Sequence, residues 1–305
     1  MIDNVLEKGQ GDRMQKLEGK TAFITGGAEG IGYHIGRVLA GRGMKVMLAD
    51  IDEKMLDQSV DALRAEDGNV VGVVCDVTLR KDLERAAEKT IDAFGKVHIL
   101  VNNAGVSVIG SQKHIPEENW RWIIDVNIMG VVYGAQVFVP LIQSHKEGGH
   151  VINVASMAGM KGLAYAGPYC ATKAAVVSLS EGWREELEPA GIGVSVLCPA
   201  FVKSRIYDSM RNRQQKYGGP VYFEDMLKKK PHLINQKEYV VNGIETESVG
   251  NRLLEAIEKN EPYIFTHPDY RQVVDDRYKS VSKGFDEAEA SPALQSVDHS
   301  GGIVA

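Results

Sequence analysis

The sequence predicts an α/β protein built as one doubly wound domain around a parallel sheet of seven strands. Three observations predict it. Apolar runs of four or five residues recur along the chain, apolar throughout rather than alternating, which is the pattern of strands covered on both faces. Each run precedes a longer segment of helical character, and strand–helix alternation with right-handed crossovers winds a parallel sheet. A glycine-rich turn, GGAEGIG over residues 26–32, joins the first run to the first helical segment.

The first strand is expected over residues 21–25 (TAFIT), with a helix over 31–42. A second strand at 45–49 (KVMLA) precedes a charged helix over 53–65, and a third at 70–74 (VVGVV) precedes a helix over 81–94. The fourth, 98–101 (HILV), leads into helical pattern over 117–134 and on to about 144. The fifth is 150–154 (HVINV), and the helix after it carries Tyr169 and Lys173. The sixth is 193–197 (GVSVL) and the seventh 262–266 (PYIFT). One domain over 17–268 absorbs these elements, between an N-terminal arm (1–16) and a C-terminal extension (269–305) with one helix-like stretch and a small, polar end.

Residues 201–243 do not fit the repeat. They mix Phe201, Ile206, Tyr207 and Met210 with many charges and the turn cluster Gly218-Gly219-Pro220. A connection of this length in a compact domain is usually functional or disordered. Following the strand end nearest the catalytic residues, it is read as a substrate lid with those four apolar side chains toward the ligand. The alternative is an amphipathic segment packed on its own domain or on a neighbouring subunit.

Hydrophobic residues make up 44% of the chain and charged residues 25%, a globular composition. The net charge of −6 argues against nucleic acid and anionic membrane surfaces as partners. Lys228-Lys229-Lys230 reads as a solvated face. Residues 1–20 hold no apolar signal-peptide core, and the longest nearly apolar stretch, 130–142, falls short of the ~20 residues of a membrane span. Cys75, Cys170 and Cys198 are widely spaced and odd in number, which fits a reducing cytoplasm. The eight histidines show no HxxxH or HExxH spacing, so no metal is expected.

In the glycine turn, Gly26, Gly30 and Gly32 permit positive φ and close backbone approach, and the helix that follows offers free N–H groups to a pyrophosphate. The spacing GxxxGxG differs from the commoner GxGxxG. Asp50 ends the second strand, where a carboxylate accepts hydrogen bonds from ribose hydroxyls; an N-cap role for it before the second helix is compatible. A 2′-phosphate near Asp50 would cost about 4 kcal/mol per like-charge pair at about 4 Å and an effective dielectric near 20. Glu29 adds charge of the same sign, so NAD is favoured over NADP.

Tyr169 and Lys173 stand at i and i+4 on one helical face. A phenol of ordinary pKa about 10 is a poor base, and a nearby ammonium together with the positive charge of oxidised nicotinamide is expected to lower it. Ser156 ends the fifth strand, placed to hydrogen-bond a substrate oxygen and stabilise charge there. No GxSxG elbow surrounds it, so it is not read as a nucleophile.

Together, residues 25–32, Asn102-Asn103-Ala104-Gly105, Asn127, Ser156 and Tyr169-x-x-x-Lys173 resemble the short-chain dehydrogenase/reductase family over about residues 17–204. The resemblance implies a Rossmann fold and a catalytic set of Ser156, Tyr169, Lys173 and Asn127, the last linked to Lys173 through a water. It implies that Gly26, Glu29, Gly30, Ile31 and Gly32 cradle the dinucleotide, with Asp50, Ile51, Asp76 and Val77 toward its adenosine. Asn103, Ala104, Gly105, Tyr169 and Lys173 would line the cleft, and Pro199, Val202 and Ser204 the nicotinamide. One departure stands out: where the family commonly has Pro-Gly, this chain has Pro199-Ala200, and alanine lacks glycine's φ freedom.

The expected activity is reversible NAD-dependent oxidation of a secondary alcohol, bulky and apolar, aromatic or steroid-like, by a homodimer or homotetramer. The alternatives are an NADPH-dependent ketone reductase and a cofactor-binding scaffold without turnover.

Overall fold

The structure of the chain, a computed structural model, describes residues 16–229 and 234–295. The expected arm over 1–16 therefore lies, apart from Lys16, outside the described residues, as do Lys230 and residues 296–305.

Seven strands form among the described residues: β1 Thr21–Thr25, β2 Lys45–Asp50, β3 Asn69–Val74, β4 Ile99–Asn102, β5 Gly149–Val154, β6 Ile192–Cys198 and β7 Tyr263–Phe265. All pair in parallel, in the order β3-β2-β1-β4-β5-β6-β7. The winding reverses between β1 and β4, and the crevice beyond the carboxyl ends of strands at such a reversal is where an open α/β sheet takes its ligand.

Alternate strand residues serve two cores. Ala22, Ile24, Val46 and Leu48 face one side with α1 (Gly30–Gly41), α2 (Glu53–Ala65) and α10 (Thr246–Lys259). Phe23, Met47 and Leu100 face the other with α3 (Arg80–Phe94), α4 (Glu117–Ile124), α5 (Gly130–Ser144) and α7 (Gly167–Leu187). Phe23 stacks on Phe138 of α5 with centroids 4.0 Å apart. The sequence reading did not identify α10. Gly250 lets it approach α1 closely, since a Cβ there would lie 2.9 Å from the carbonyl oxygen of His34.

A π turn, Asp125–Met129, splices α4 into α5. The resulting 28-residue helix, Glu117–Ser144, is long and apolar enough to cross a membrane by length and composition, which corrects the shorter apolar stretch expected from sequence. Half of its most apolar window is buried, and Trp122 and Phe138 pack into the second core; it is a core helix.

After β6 come two 3₁₀ turns, Ile206–Asn212 and Gln215–Tyr217, then α8 (Phe223–Lys229) and α9 (Ile234–Val241). A bridge between Val202 and Ile244 ties the two ends of this segment together. A short α6 (Met157–Met160) follows β5. The chain divides into two compact units between Thr266 and His267. The second carries α11 (Arg271–Glu289), on which Tyr278, Val281 and Phe285 are exposed.

Burial holds two histidines neutral: His98 is pushed down to about 4 and His150, whose Nε2 lies 2.7 Å from Ser195 Oγ, to about 3. Both folded values lie below the ordinary 6.5, so the unfolded chain binds more protons in between. The stabilising contribution is complete above pH 6.5 and is lost as pH falls through the folded values. The melting temperature is therefore expected to drop as pH falls from about 6.5 toward 4, with a shallower slope in His150→Asn. Superimposable slopes in thermal melts would contradict this.

Candidate active site

The turn after β1 is clamped from β4. Asn103 Nδ2 donates to the carbonyls of Thr25 and Gly26, both at 2.9 Å. Thr25 Oγ1 accepts from the amides of Asn103 and Ala104, both at 3.0 Å. Gly26 and Gly30 have φ of 62° and 61°, a region costly for side-chain-bearing residues. A Cβ on Gly26 would sit 2.9 Å from Ala104 Cα. Glu29 is the N-cap of α1 but its side chain caps none of the first-turn amides, which leaves them for another acceptor.

Asp50 Oδ2 accepts from the amide of Ala28 at 3.0 Å and Oδ1 from Asp52 at 3.1 Å. Burial pushes its carboxyl above the usual carboxylate range, partly offset by those amides. The N-cap of α2 is Asp52, which accepts from Met55 at 3.1 Å, so the N-cap reading of Asp50 does not hold. Asp76 Oδ1 accepts from the amide and hydroxyl of Thr78.

One cavity joins this turn to the start of α7. It is lined by Ser156, Tyr169 and Lys173 and by every residue expected at the cofactor except Gly32. Gly32 is buried beneath the turn, where its would-be Cβ meets Gly26.

Ser156, the N-cap of α6, accepts from the amide of Ala158 at 3.1 Å and donates to Pro199 O at 3.3 Å. Tyr169 lines the same cavity close enough for this hydroxyl to influence its phenol. Lys173 Nζ donates to Val154 O at 2.7 Å and lies 5.8 Å from the centroid of the Tyr169 ring. The expected lowering of Tyr169 by this ammonium is not what the structure gives. Burial dominates and pushes the phenol up, the Ser156 hydroxyl pulling it part of the way back. The same burial pushes Lys173 down to about 8. Desolvation disfavours both charged forms, so these side chains alone do not make a phenolate.

Asn127, in the π turn, is buried. Its Oδ1 accepts from Val106 N at 2.8 Å, and its Nδ2 donates to Val106 O at 3.0 Å and Thr172 Oγ1 at 3.1 Å. Both amide hydrogens are thus engaged away from Lys173, and the side chain braces the β4 loop against α7. Gly105 lies between the two groups: a Cβ there would approach Lys173 Nζ to 3.3 Å and Asn127 Oδ1 to 3.5 Å. Ala200 is absent from the residues with positive φ, so the departure from Pro-Gly asks for no glycine geometry.

Of the four apolar lid residues assigned to substrate, Ile206 lines the cavity and the others do not. Phe201 stacks on Tyr239, Tyr207 packs edge-on against Phe223, and Met210 packs onto the second core. The lid is instead tied to the cofactor half, a feature missing from the sequence reading. Gln214 Nε2 donates to Asp76 Oδ2 at 2.9 Å, Tyr217 donates to Asp125 at 2.5 Å, and Arg205 and Arg211 pair with Glu29. Glu29 is therefore neutralised, and its expected repulsion of a 2′-phosphate is withdrawn. These contacts span more than 90 residues, and charged residues scattered in an irregular segment gave no signal for them.

His98, His145 and Glu147 could converge on a cation. Their donor atoms are already engaged. His145 Nε2 faces Val97 O at 2.8 Å and its Nδ1 accepts from the amide of Glu147, while Lys20 and Lys96 pair with Glu147.

The family profile for short chain dehydrogenase matches residues 20–215. The chain belongs to that family. As a short chain dehydrogenase it is an oxidoreductase that binds a nicotinamide cofactor. It is 34% identical over 92% of its length to a C alpha-dehydrogenase of Sphingobium sp. strain SYK-6, covering 90% of that protein. It is 32% identical over 88% of its length to a CLA biosynthesis dehydrogenase/reductase of Lactiplantibacillus plantarum, covering 95% of that one. A short chain dehydrogenase/reductase from Burkholderia phymatum, solved in complex with NAD, superimposes with a TM-score of 0.82 at 37% identity, over 88% of this chain and 96% of that one. The residues of this short chain dehydrogenase fit such a dinucleotide: Gly30 faces the cavity, where its missing side chain leaves room up to Ser204, and the first-turn amides of α1 face no side-chain cap.

Proposed function

We propose that this dehydrogenase oxidises a bulky, apolar secondary alcohol with NAD, reversibly to the ketone. The observation that carries the reading is the convergence of Ser156, Tyr169 and Lys173 in the cavity that Asp50 also lines. Tyr169, as its phenolate, takes the hydroxyl proton at Oη, Ser156 Oγ holds the substrate oxygen, and Lys173 supplies positive charge beneath the ring. A bound nicotinamide would supply the hydride acceptor. Because burial holds the Tyr169 proton tightly, its activity as a base depends on positive charge brought into the site. The apolar substrate class is supported by Ile206 and Trp122 in the cavity lining and by exposed Leu163 and Tyr165 in the loop just before Tyr169. The relative named as a C alpha-dehydrogenase and the neighbour solved with NAD support the reading. A cytoplasmic homodimer or homotetramer is the state we propose, the three free, buried cysteines supporting a reducing compartment.

NAD preference rests on Asp50. Wild type is expected to show the higher kcat/KM with NAD, assayed with aromatic, alicyclic and steroidal alcohols. Asp50→Ala combined with Ile51→Arg should move the ratio of the two cofactors more than tenfold toward NADP, since removing one like-charge contact is worth up to about 4 kcal/mol. A wild type that already prefers NADP would favour the reductase reading and defeat this one.

A further inference from the structure

The cavity that would take the dinucleotide is rich in acids. Glu29 stands in the glycine turn, Asp50 accepts from Ala28 of that turn, and Asp52 and Asp76 line the same cavity. A pyrophosphate carries negative charge of its own, and four neighbouring carboxylates would repel it unless cations stand among them. Among the described residues lining the cavity the cations are Lys173, Arg205 and Arg211. Lys173 sits beside Tyr169 at the catalytic end. The two arginines therefore supply the positive charge at the turn, and both come from the lid.

Arg211 is the better placed of the two. Its side chain is only 10% exposed, against 46% for Arg205. It donates to Glu29 at the mouth of the turn, and its Nη1 donates to the carbonyl of Asp208 at 3.2 Å. Its Nε is buried without a hydrogen-bond partner, as is Oε1 of the neighbouring Gln214. Burial of a guanidinium with an orphaned N–H is costly unless a further acceptor completes it. The planar fork of arginine matches phosphate geometry.

We propose that Arg211 is a cofactor-binding residue of the lid: it is held by Glu29 and passes to the dinucleotide pyrophosphate on cofactor binding, so that the cofactor fixes the lid before substrate. The inference rests on the dinucleotide-oxidoreductase reading above. It also assigns Glu29 a role distinct from excluding NADP, namely that of a placeholder anion which competes with the pyrophosphate for Arg211. The two side chains should then act in opposite directions on the same ligand.

The test uses the full-length protein and ADP-ribose, which carries the pyrophosphate without nicotinamide, with AMP and 2′-phospho-ADP-ribose alongside. Calorimetric titration is expected to show ADP-ribose binding weakened about ten- to a hundredfold in Arg211→Gln, the range for hydrogen bonds to charged groups. AMP binding should change little, and Glu29→Gln should bind ADP-ribose more tightly than wild type. Hydrogen exchange should show residues 206–217 protected by ADP-ribose in wild type and not in Arg211→Gln. If Arg211→Gln weakens only 2′-phospho-ADP-ribose, the arginine serves a 2′-phosphate and the proposal is overturned. Unchanged ADP-ribose affinity in a folded Arg211→Gln, judged by circular dichroism, overturns it too, while leaving the dinucleotide reading intact. A wild type that binds neither NAD nor ADP-ribose would instead bring down that underlying reading.

Discussion

Replacing Tyr169 by phenylalanine is expected to lower kcat by about 10² to 10⁴, the usual contribution of a general acid–base group, while leaving fold and cofactor affinity in place. The substitution removes only the hydroxyl. Ser156 keeps its bonds to Ala158 and Pro199, and Lys173 keeps its bond to Val154, so nothing buried is stranded. The ring still packs beside Ala158, Ala166 and Cys170. Steady-state rates together with NAD titration by fluorescence separate chemistry from binding. A variant retaining more than a tenth of the wild-type kcat would mean that another group moves the proton.

Gly32→Ala is expected to act at the other end of the cavity and through geometry alone. Its φ is not in the left-handed region, so the argument is purely steric. The added Cβ would lie 2.2 Å from Gly26 O and 2.5 Å from Asn103 Nδ2. Those two atoms are bonded to each other, so relief requires opening the clamp that shapes the turn. Overpacking of this kind costs about 1–3 kcal/mol, and a displaced turn no longer presents the α1 amides to a phosphate. NAD affinity should fall about five- to a hundredfold at that cost, with a lower melting temperature. Gly41→Ala is the control: its Cβ would meet nothing within 4 Å, and glycine in a helix is the weaker residue. Equal NAD affinity in both variants would show that the turn tolerates displacement.

The sheet was legible because its strands are buried on both faces, which writes uninterrupted apolar runs such as 21–25 and 45–49 into the sequence. Their edges were less so. β3 begins one residue before its apolar run because Asn69 pairs with Lys45 of β2, a contact with no local signature. α10 was missed although Val249, Leu253 and Ile257 recur at helical spacing on one apolar face. The members of the site lying on strand ends and on α7 were legible from position, since parallel strands gather their carboxyl ends in one crevice. The lid was not. Which way Tyr207 and Met210 turn is decided by Phe223 and the second core, partners that spacing along an irregular segment does not reveal. The Tyr169 shift was legible only in part: adjacency at i and i+4 shows which charges are near, but not how much water has been removed from them, and among the side chains burial outweighs the ammonium.

The π turn at Asp125–Met129 has an evolutionary consequence. It carries one residue more than an α-turn would, and each residue advances a helix by about 100°. Losing one residue there leaves an ordinary α-turn, and α5 keeps the face that sets Phe138 on Phe23 and Gly134 against Asn102, whose Oδ1 would meet a Cβ on that glycine at 2.2 Å. Losing one residue within α5 itself would instead rotate everything beyond it by that ~100°. Single-residue length variation among descendants of this chain should therefore, within this helix, be confined to residues 125–129.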